Sequence, residues 1–259
     1  MDIVINLIFT VVGAFVKEIR QVLYKSCYKK QLREVLSCDG ECRITLQYIK
    51  KYYGGRERIF VQLADVSLYS KVKELITELG IKVTELSDSE FDGHEIHIGS
   101  PMANPYSNRY VLDSVPDFKW HVSRVVYEEA FKELLENTAM KHQNFVEFDE
   151  EWNGYIINGD KHEYKKDVED YAFFLRLVRD DLPHSNHKTI HVIFGIGGTI
   201  GRKGAGRYFT KYYRSIYKQY KKDIKRNEKF QNYLYAMQLD CNGNPNGPLK
   251  LLWHKKTLC

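Results

Sequence analysis

The sequence predicts an α/β protein: a Rossmann-like sheet with flanking helices, preceded by an N-terminal hydrophobic helix. Three observations carry that expectation. Short runs rich in β-branched and aromatic residues recur along the chain, and each reads as a strand. The segment SLYSKVKELITELG (67–80), between two such runs, places Val72, Leu75, Ile76 and Leu79 on one helical stripe that Gly80 ends. Finally, the apolar run TIHVI leads into FGIGGTIGRKGAGRYF (194–209), where six glycines and three cations separate a strand from a helix.

Taken in order, the chain opens on IVINLIFTVVGAFV (3–16), a nearly unbroken apolar run. As a helix it spans about 21 Å, short of the ~30 Å hydrocarbon core of a bilayer. The following KEIRQVLYKSCYKKQLREVL is basic and amphipathic. This N-terminal part reads first as a membrane anchor, then as an oligomerisation helix or a core helix. YYGGRER (52–58) reads as a boundary, giving a helical segment over 1–53 and a Rossmann-like domain over 54–259. Beyond it, RIFVQL (58–63), IKVTEL (81–86) and HEIHIGSP (94–101) are expected strands, and YEEAFKELLENTAM (127–140) an expected helix. NFVEF, GYIIN and DYAFFLRLV read as antiparallel or edge strands, because no long helix separates them. TIHVIFG (189–195) is the last clear strand before a long helix from about Ala205 to Asp223, and YLYAMQL and KLLWHKK close the chain as strand-like pieces.

Of 259 residues, 43% are apolar and 14% aromatic, enough for a packed core and unlike a disordered chain. The net charge of +5 is uneven, with eleven Lys and Arg against two acids between Arg202 and Lys229. Such a block attracts phosphates or an anionic membrane, or serves as a solvated helix face. Five cysteines at irregular spacing predict reduced thiols in a cytoplasmic protein, and Cys38-Asp-Gly-Glu-Cys42 lacks a second ligand pair, so no metal is expected.

The glycine loop points to phosphate. Glycines let backbone amides approach a ligand, and a following helix offers unpaired N–H groups at its positive end. Gly197, Gly198, Thr199, Gly201, Arg202 and Lys203 are the candidate phosphate-binding residues. The loop is neither a Walker A motif nor a clean dinucleotide fingerprint. A second loop, GSPMANPYSNRY (99–110), offers Ser100, Asn104, Asn108 and Arg109 to a sugar or base, and both loops are expected to leave the same end of the sheet. Asp170 and Glu95 are the candidate catalytic carboxylates. Strand alternation puts Glu95 and His97 on one face and His94 on the other, with no third metal ligand in view.

IHIGSPMANPYSNRY, DYAFFLRL and IHVIFGIGGTIGRKGAGRYF resemble a loosely defined bacterial α/β group that pairs a Gly-Ser-Pro-x-x-Asn loop with a late glycine loop beside regulatory or antiviral defence modules. The GIGGT piece is also similar to the phosphate loop of the lysine-decarboxylase-like phosphoribohydrolases. The catalytic Glu of that family's loop has no counterpart in the first turns here. The resemblance covers roughly residues 58–220. It does not extend to the N-terminal helix. An anion loop without an obvious catalytic constellation predicts a nucleotide-sensing domain coupled to that helix, homo-oligomeric or held at the inner face of the cell membrane. The alternatives are a nucleotide N-glycosidase that takes NAD as substrate, using Asp170 or Glu95, and a nucleic-acid binder using the basic helix.

Overall fold

The structure, a computed structural model, describes residues 26–38, 40–46, 49–53, 56–60, 63–84, 91–101, 104–123, 146–149, 152–165, 168–179, 188–195, 199–207, 211–226 and 230–256. It is a mixed α/β fold built on a seven-stranded sheet. Helix α1 (26–36) leads into β1 (Glu41–Leu46), followed by the hairpin β2 (Ile49–Tyr53) and β3 (Arg56–Phe60). Then come α2 (Leu63–Glu78), β4 (Lys82–Thr84), β5 (His94–Ile98) and α3 (Pro105–Ser114). A small sheet follows, made of β6 (Lys119–Ser123), β7 (Val146–Asp149), β8 (Gly154–Ile157) and β9 (Asp160–Glu163). The chain returns to the large sheet with β10 (Glu169–Arg179) and β11 (Lys188–Gly195), crosses as α4 (Thr199–Gly206) and α5 (Tyr213–Arg226), and ends with β12 (Phe230–Asp240) and β13 (Lys250–Lys256).

The order across the large sheet is β13-β12-β10-β11-β5-β1-β4. The β4, β1, β5 and β11 half is parallel, and β10, β12 and β13 add antiparallel neighbours. Leu46, Ile98 and Ile193 lie level in the register, so β1, β5 and β11 finish at one end of the sheet. Burial on both faces explains why β11 reads as a near-continuous apolar run rather than as an alternating one. One face packs Cys42, Ile44, Ile96 and Ile193 against α1, α2, α4 and α5, through Leu32, Val72, Ala205 and Ile216. The other packs Ile190, Val192, Phe173 and Leu175 against α3 and the small sheet, through Val111, Trp120 and Tyr155. In the β8–β9 hairpin, Asn158 and Gly159 both take positive φ (52° and 83°), the geometry a two-residue turn demands of an Asn-Gly pair.

Several expectations meet a different arrangement. β1 lies on the N-terminal side of 53/54 and sits between β5 and β4, so residues from both sides of that division build one core. β3, expected as a strand of the α/β sheet, pairs among the described residues with β2 alone, in a separate two-stranded sheet. β7 pairs parallel to β6, a strand the sequence reading did not anticipate. The helix expected from Ala205 to Asp223 is divided between α4 and α5; residues 208–210 between them lie outside the described residues, the Arg207 amide donates to the Gly204 carbonyl, and the Arg207 carbonyl accepts from the Lys211 and Tyr212 amides. Arg207 then holds the 242–244 turn through the carbonyl of Gly243 (2.9 Å) and Asn244 Oδ1 (2.8 Å). The apolar run 3–16 and the helix expected at 127–140 lie outside the described residues. Among the described residues, no helix is long and apolar enough to cross a membrane.

Candidate functional site

The two candidate loops leave neighbouring strands. β5 passes into α3 on one face of the sheet, and β11 passes into α4 on the other. The Gly99 amide donates to the Ile193 carbonyl (3.0 Å), which fastens the first loop to β11. A crevice at the carboxyl ends of adjacent parallel strands, with helices diverging to opposite faces, is where open α/β sheets place ligands.

Within the first loop, Asn104 is the N-cap of α3. Its Oδ1 accepts from the amides of Tyr106 (3.0 Å) and Ser107 (3.2 Å), while its Nδ2 donates to the Ile98 carbonyl (3.2 Å). Pro105 in the first turn completes a strong helix start. Asn104 is 1% exposed and its amide is committed to the fold. Asn104→Ala is expected to lower stability by about 1–2 kcal/mol, read as a drop in the thermal midpoint. Asn108 donates to the Pro101 carbonyl (3.0 Å), and Ser100 is half-buried with its carbonyl accepting from the Asn104 amide. Arg109 is exposed on the outer face of α3, 3.9 Å from Asp113.

The glycines of the second loop have packing reasons. A Cβ on Gly195 would overlap the backbone of Gly201, and one on Gly204 would overlap Leu239. A Cβ on Gly201 would stand 2.5 Å from Asp170 Oδ2 and 2.8 Å from Gly195 Cα. The start of α4 therefore lies directly on the sheet, which only glycine permits. Asp170, proposed as a catalytic carboxylate, is 1% exposed and caps this turn. Its Oδ2 accepts from the Gly201 amide (2.7 Å) and its Oδ1 from the Tyr171 amide (2.7 Å). A carboxylate at the positive end of α4 satisfies the attraction that the sequence reading reserved for a phosphate. Gly197 and Gly198 lie outside the described residues, as do the side chains of Thr199 and Arg202; Lys203 is exposed.

Glu95 is the hub of a buried polar cluster on the α3 face. Arg43 Nη2 (3.0 Å) and Lys188 Nζ (2.7 Å) reach its Oε1, while His97 Nε2 (2.7 Å) and the Tyr110 hydroxyl (3.2 Å) reach its Oε2. Lys188 also donates to the Phe91 carbonyl (2.5 Å). The His97 ring lies between Tyr106 and Tyr110, with centroids 5.2 and 5.1 Å away. Burial alone would raise the Glu95 pKa, but hydrogen bonds and charge from His97 and Lys188 overcome it and hold it at about 2. Burial, with Arg43 and Lys188 nearby, keeps His97 below its ordinary value against the pull of Glu95.

An ionised Glu95 only accepts, so Nε2 of the neutral His97 ring carries the proton, and the bare Nδ1 accepts from the Thr45 hydroxyl (2.6 Å). This hydroxyl–imidazole–carboxylate chain has the connectivity of a proton relay. Thr45, His97 and Glu95 are 2%, 0% and 1% exposed, so the chain is closed to a substrate. His94, on the opposite face as expected, accepts from the Thr189 amide (3.0 Å).

The sequence reading missed Arg43, Thr45 and Lys188. A signal existed for the first two: Arg43 and Thr45 alternate on β1 as Glu95 and His97 do on β5, and each pair is directly opposite in the register. Among the described residues, no group of three or more His, Cys, Asp or Glu is placed to hold a metal ion. No protein-family model, curated protein or solved structure matches the chain.

Proposed function

We propose that the chain is a binding domain for a nucleotide-like anion, seated where the β5–α3 and β11–α4 connections meet. The observation that carries this reading is the divergence of α3 and α4 to opposite faces from adjacent parallel strands. The parallel strands add support, since their spatial order β4-β1-β5-β11 follows the 2-1-3-4 succession of doubly wound, Rossmann-related sheets. Asp170 already takes the Gly201 amide, so the ligand's charge falls to the preceding loop and to Arg202 and Lys203. Binding is favoured over NAD cleavage because both candidate carboxylates are 1% exposed and engaged by internal donors. A domain of this kind senses a ligand and transmits its presence to the N-terminal segment.

A thermal-shift screen across mono-, di- and cyclic nucleotides tests the reading. One nucleotide class is expected to raise the melting point, with about 2.7 kcal/mol of stabilisation at a hundredfold excess over Kd. The double substitution Arg202→Ala and Lys203→Ala is expected to remove the shift. A screen without any shift overturns the reading, and so does nicotinamide release from NAD.

A further inference from the structure

From the surface of α1 and α5 we infer a docking face for an anionic lipid bilayer. This inference is independent of the nucleotide site. The two helices lie side by side on one face of the sheet. The rings of Tyr28 and Tyr213 meet edge-on at 4.9 Å, and the Lys221 ammonium pairs with Glu34 across the seam. α5 buries Tyr213, Ile216, Tyr220 and Asp223. Lys218, Lys222 and Lys225 each fall two positions after one of these, about 200° around a helix of 3.6 residues per turn, and all are exposed. Arg226 and, on α1, Lys29 and Lys30 are exposed as well.

Among the described residues of these two helices, no exposed acid stands beside them. The two acidic residues of these helices are Glu34, paired with Lys221, and Asp223, which is buried and accepts from the Tyr235 hydroxyl (2.8 Å). The neighbouring α2 shows the contrast, since Glu74 and Glu78 stand among its lysines Lys71 and Lys73. The polarity of the α1–α5 face is thus a property of that pair of helices and not of the whole helical layer.

A bilayer fits this face better than a nucleic acid does, because of what precedes α1. Residues 3–16 are a nearly unbroken apolar run, followed before α1 by Lys17, Arg20 and Lys25 against the single acid Glu18. A basic face by itself suits any polyanion, and an apolar run by itself suits any oily surface. Stable attachment of a surface-bound protein takes two signals, and an apolar insertion with a polybasic patch is one such pair. This chain places the first directly before a helix that carries part of the second.

The test uses the full chain in vesicle flotation, with vesicles of phosphatidylcholine alone and of phosphatidylcholine mixed with phosphatidylserine, at low and high salt. Binding is expected to the mixed vesicles and to weaken with salt. The triple variant Lys218→Gln, Lys222→Gln, Lys225→Gln is expected to bind them on the order of a hundredfold more weakly. Its melting point reports whether it is folded, and Lys222→Gln alone, expected to be about fivefold weaker, keeps the test valid if it is not. Lys71→Gln with Lys73→Gln, on α2, is expected to leave binding unchanged. Equal, salt-insensitive binding to both vesicle types overturns the inference, as does undiminished binding by the α5 variants. Preference for an oligonucleotide over the mixed vesicles overturns it in favour of a nucleic-acid surface.

Discussion

Glu95→Ala is expected to destabilise the protein by about 3–5 kcal/mol, a large part of the stability of an ordinary domain. The carboxylate receives Arg43, Lys188, His97 and the Tyr110 hydroxyl, and its removal leaves two buried cations facing each other. The loss exceeds that of a deleted side chain because desolvated charge is left without a partner. Urea unfolding gives the measurement, read as a lower midpoint at unchanged slope. Replacing Glu95, Arg43 and Lys188 together with apolar residues of similar volume is expected to recover much of the loss, since a buried ion cluster stabilises little beyond a well-packed apolar one. A Glu95→Ala protein of parental stability would show that the carboxylate is not the hub of the core.

Acid is expected to unfold the protein in two stages. His191 is fully buried and donates to the Leu36 carbonyl at the end of α1 (2.8 Å). Burial, with Arg176 nearby, pushes its pKa down to about 3 even though that hydrogen bond favours the proton. His97 is shifted in the same direction. In both cases the unfolded chain takes up a proton near pH 6.5 that the native state refuses. Stability is therefore complete above about pH 6.5 and falls below it, by up to roughly 1.4 kcal/mol per pH unit for each histidine. Glu95 contributes from about pH 4.5 downward, because the unfolded chain protonates it while the native carboxylate stays ionised to about 2. A series of urea midpoints between about pH 7 and 4 measures the slope. His191→Gln, which keeps a donor and cannot titrate, is expected to flatten the first stage by one histidine's share. A flat profile from pH 7 to 5 would contradict the burial of both rings.

What the sequence made legible follows from whether a signal is local. The stripe of Val72, Leu75, Ile76 and Leu79 predicts α2, and these residues are buried in the helical-face core. β11 announces itself as an apolar run and β5 by its alternation, and the loops after them do leave the same end of the sheet. β1 was harder, because ECRITL puts Arg43 and Thr45 where an apolar strand is sought, and both find a partner 52 positions away. The glycine loop was visible in the sequence, but the packing role of three of its glycines was not. Its spacing looks like a ligand cradle, whereas Gly195, Gly201 and Gly204 answer to Asp170 and Leu239, whose proximity no local pattern encodes. The alternation of Glu95 and His97 was readable; that Lys188 would join them was not.

The far end of α1 is finished by residues made much later in the chain. Arg176 reaches the Glu34 carbonyl, Thr189 the Ser37 carbonyl and His191 the Leu36 carbonyl, at separations of 142, 152 and 155 residues. At a synthesis rate of roughly 5–20 residues per second, these carbonyls wait on the order of 10 s after leaving the ribosome. The apolar stretch 3–16, made earlier still, spends that interval beside a helix that has no sheet to rest on. The first helix of the fold is therefore complete in sequence long before the strands that close its last turn exist.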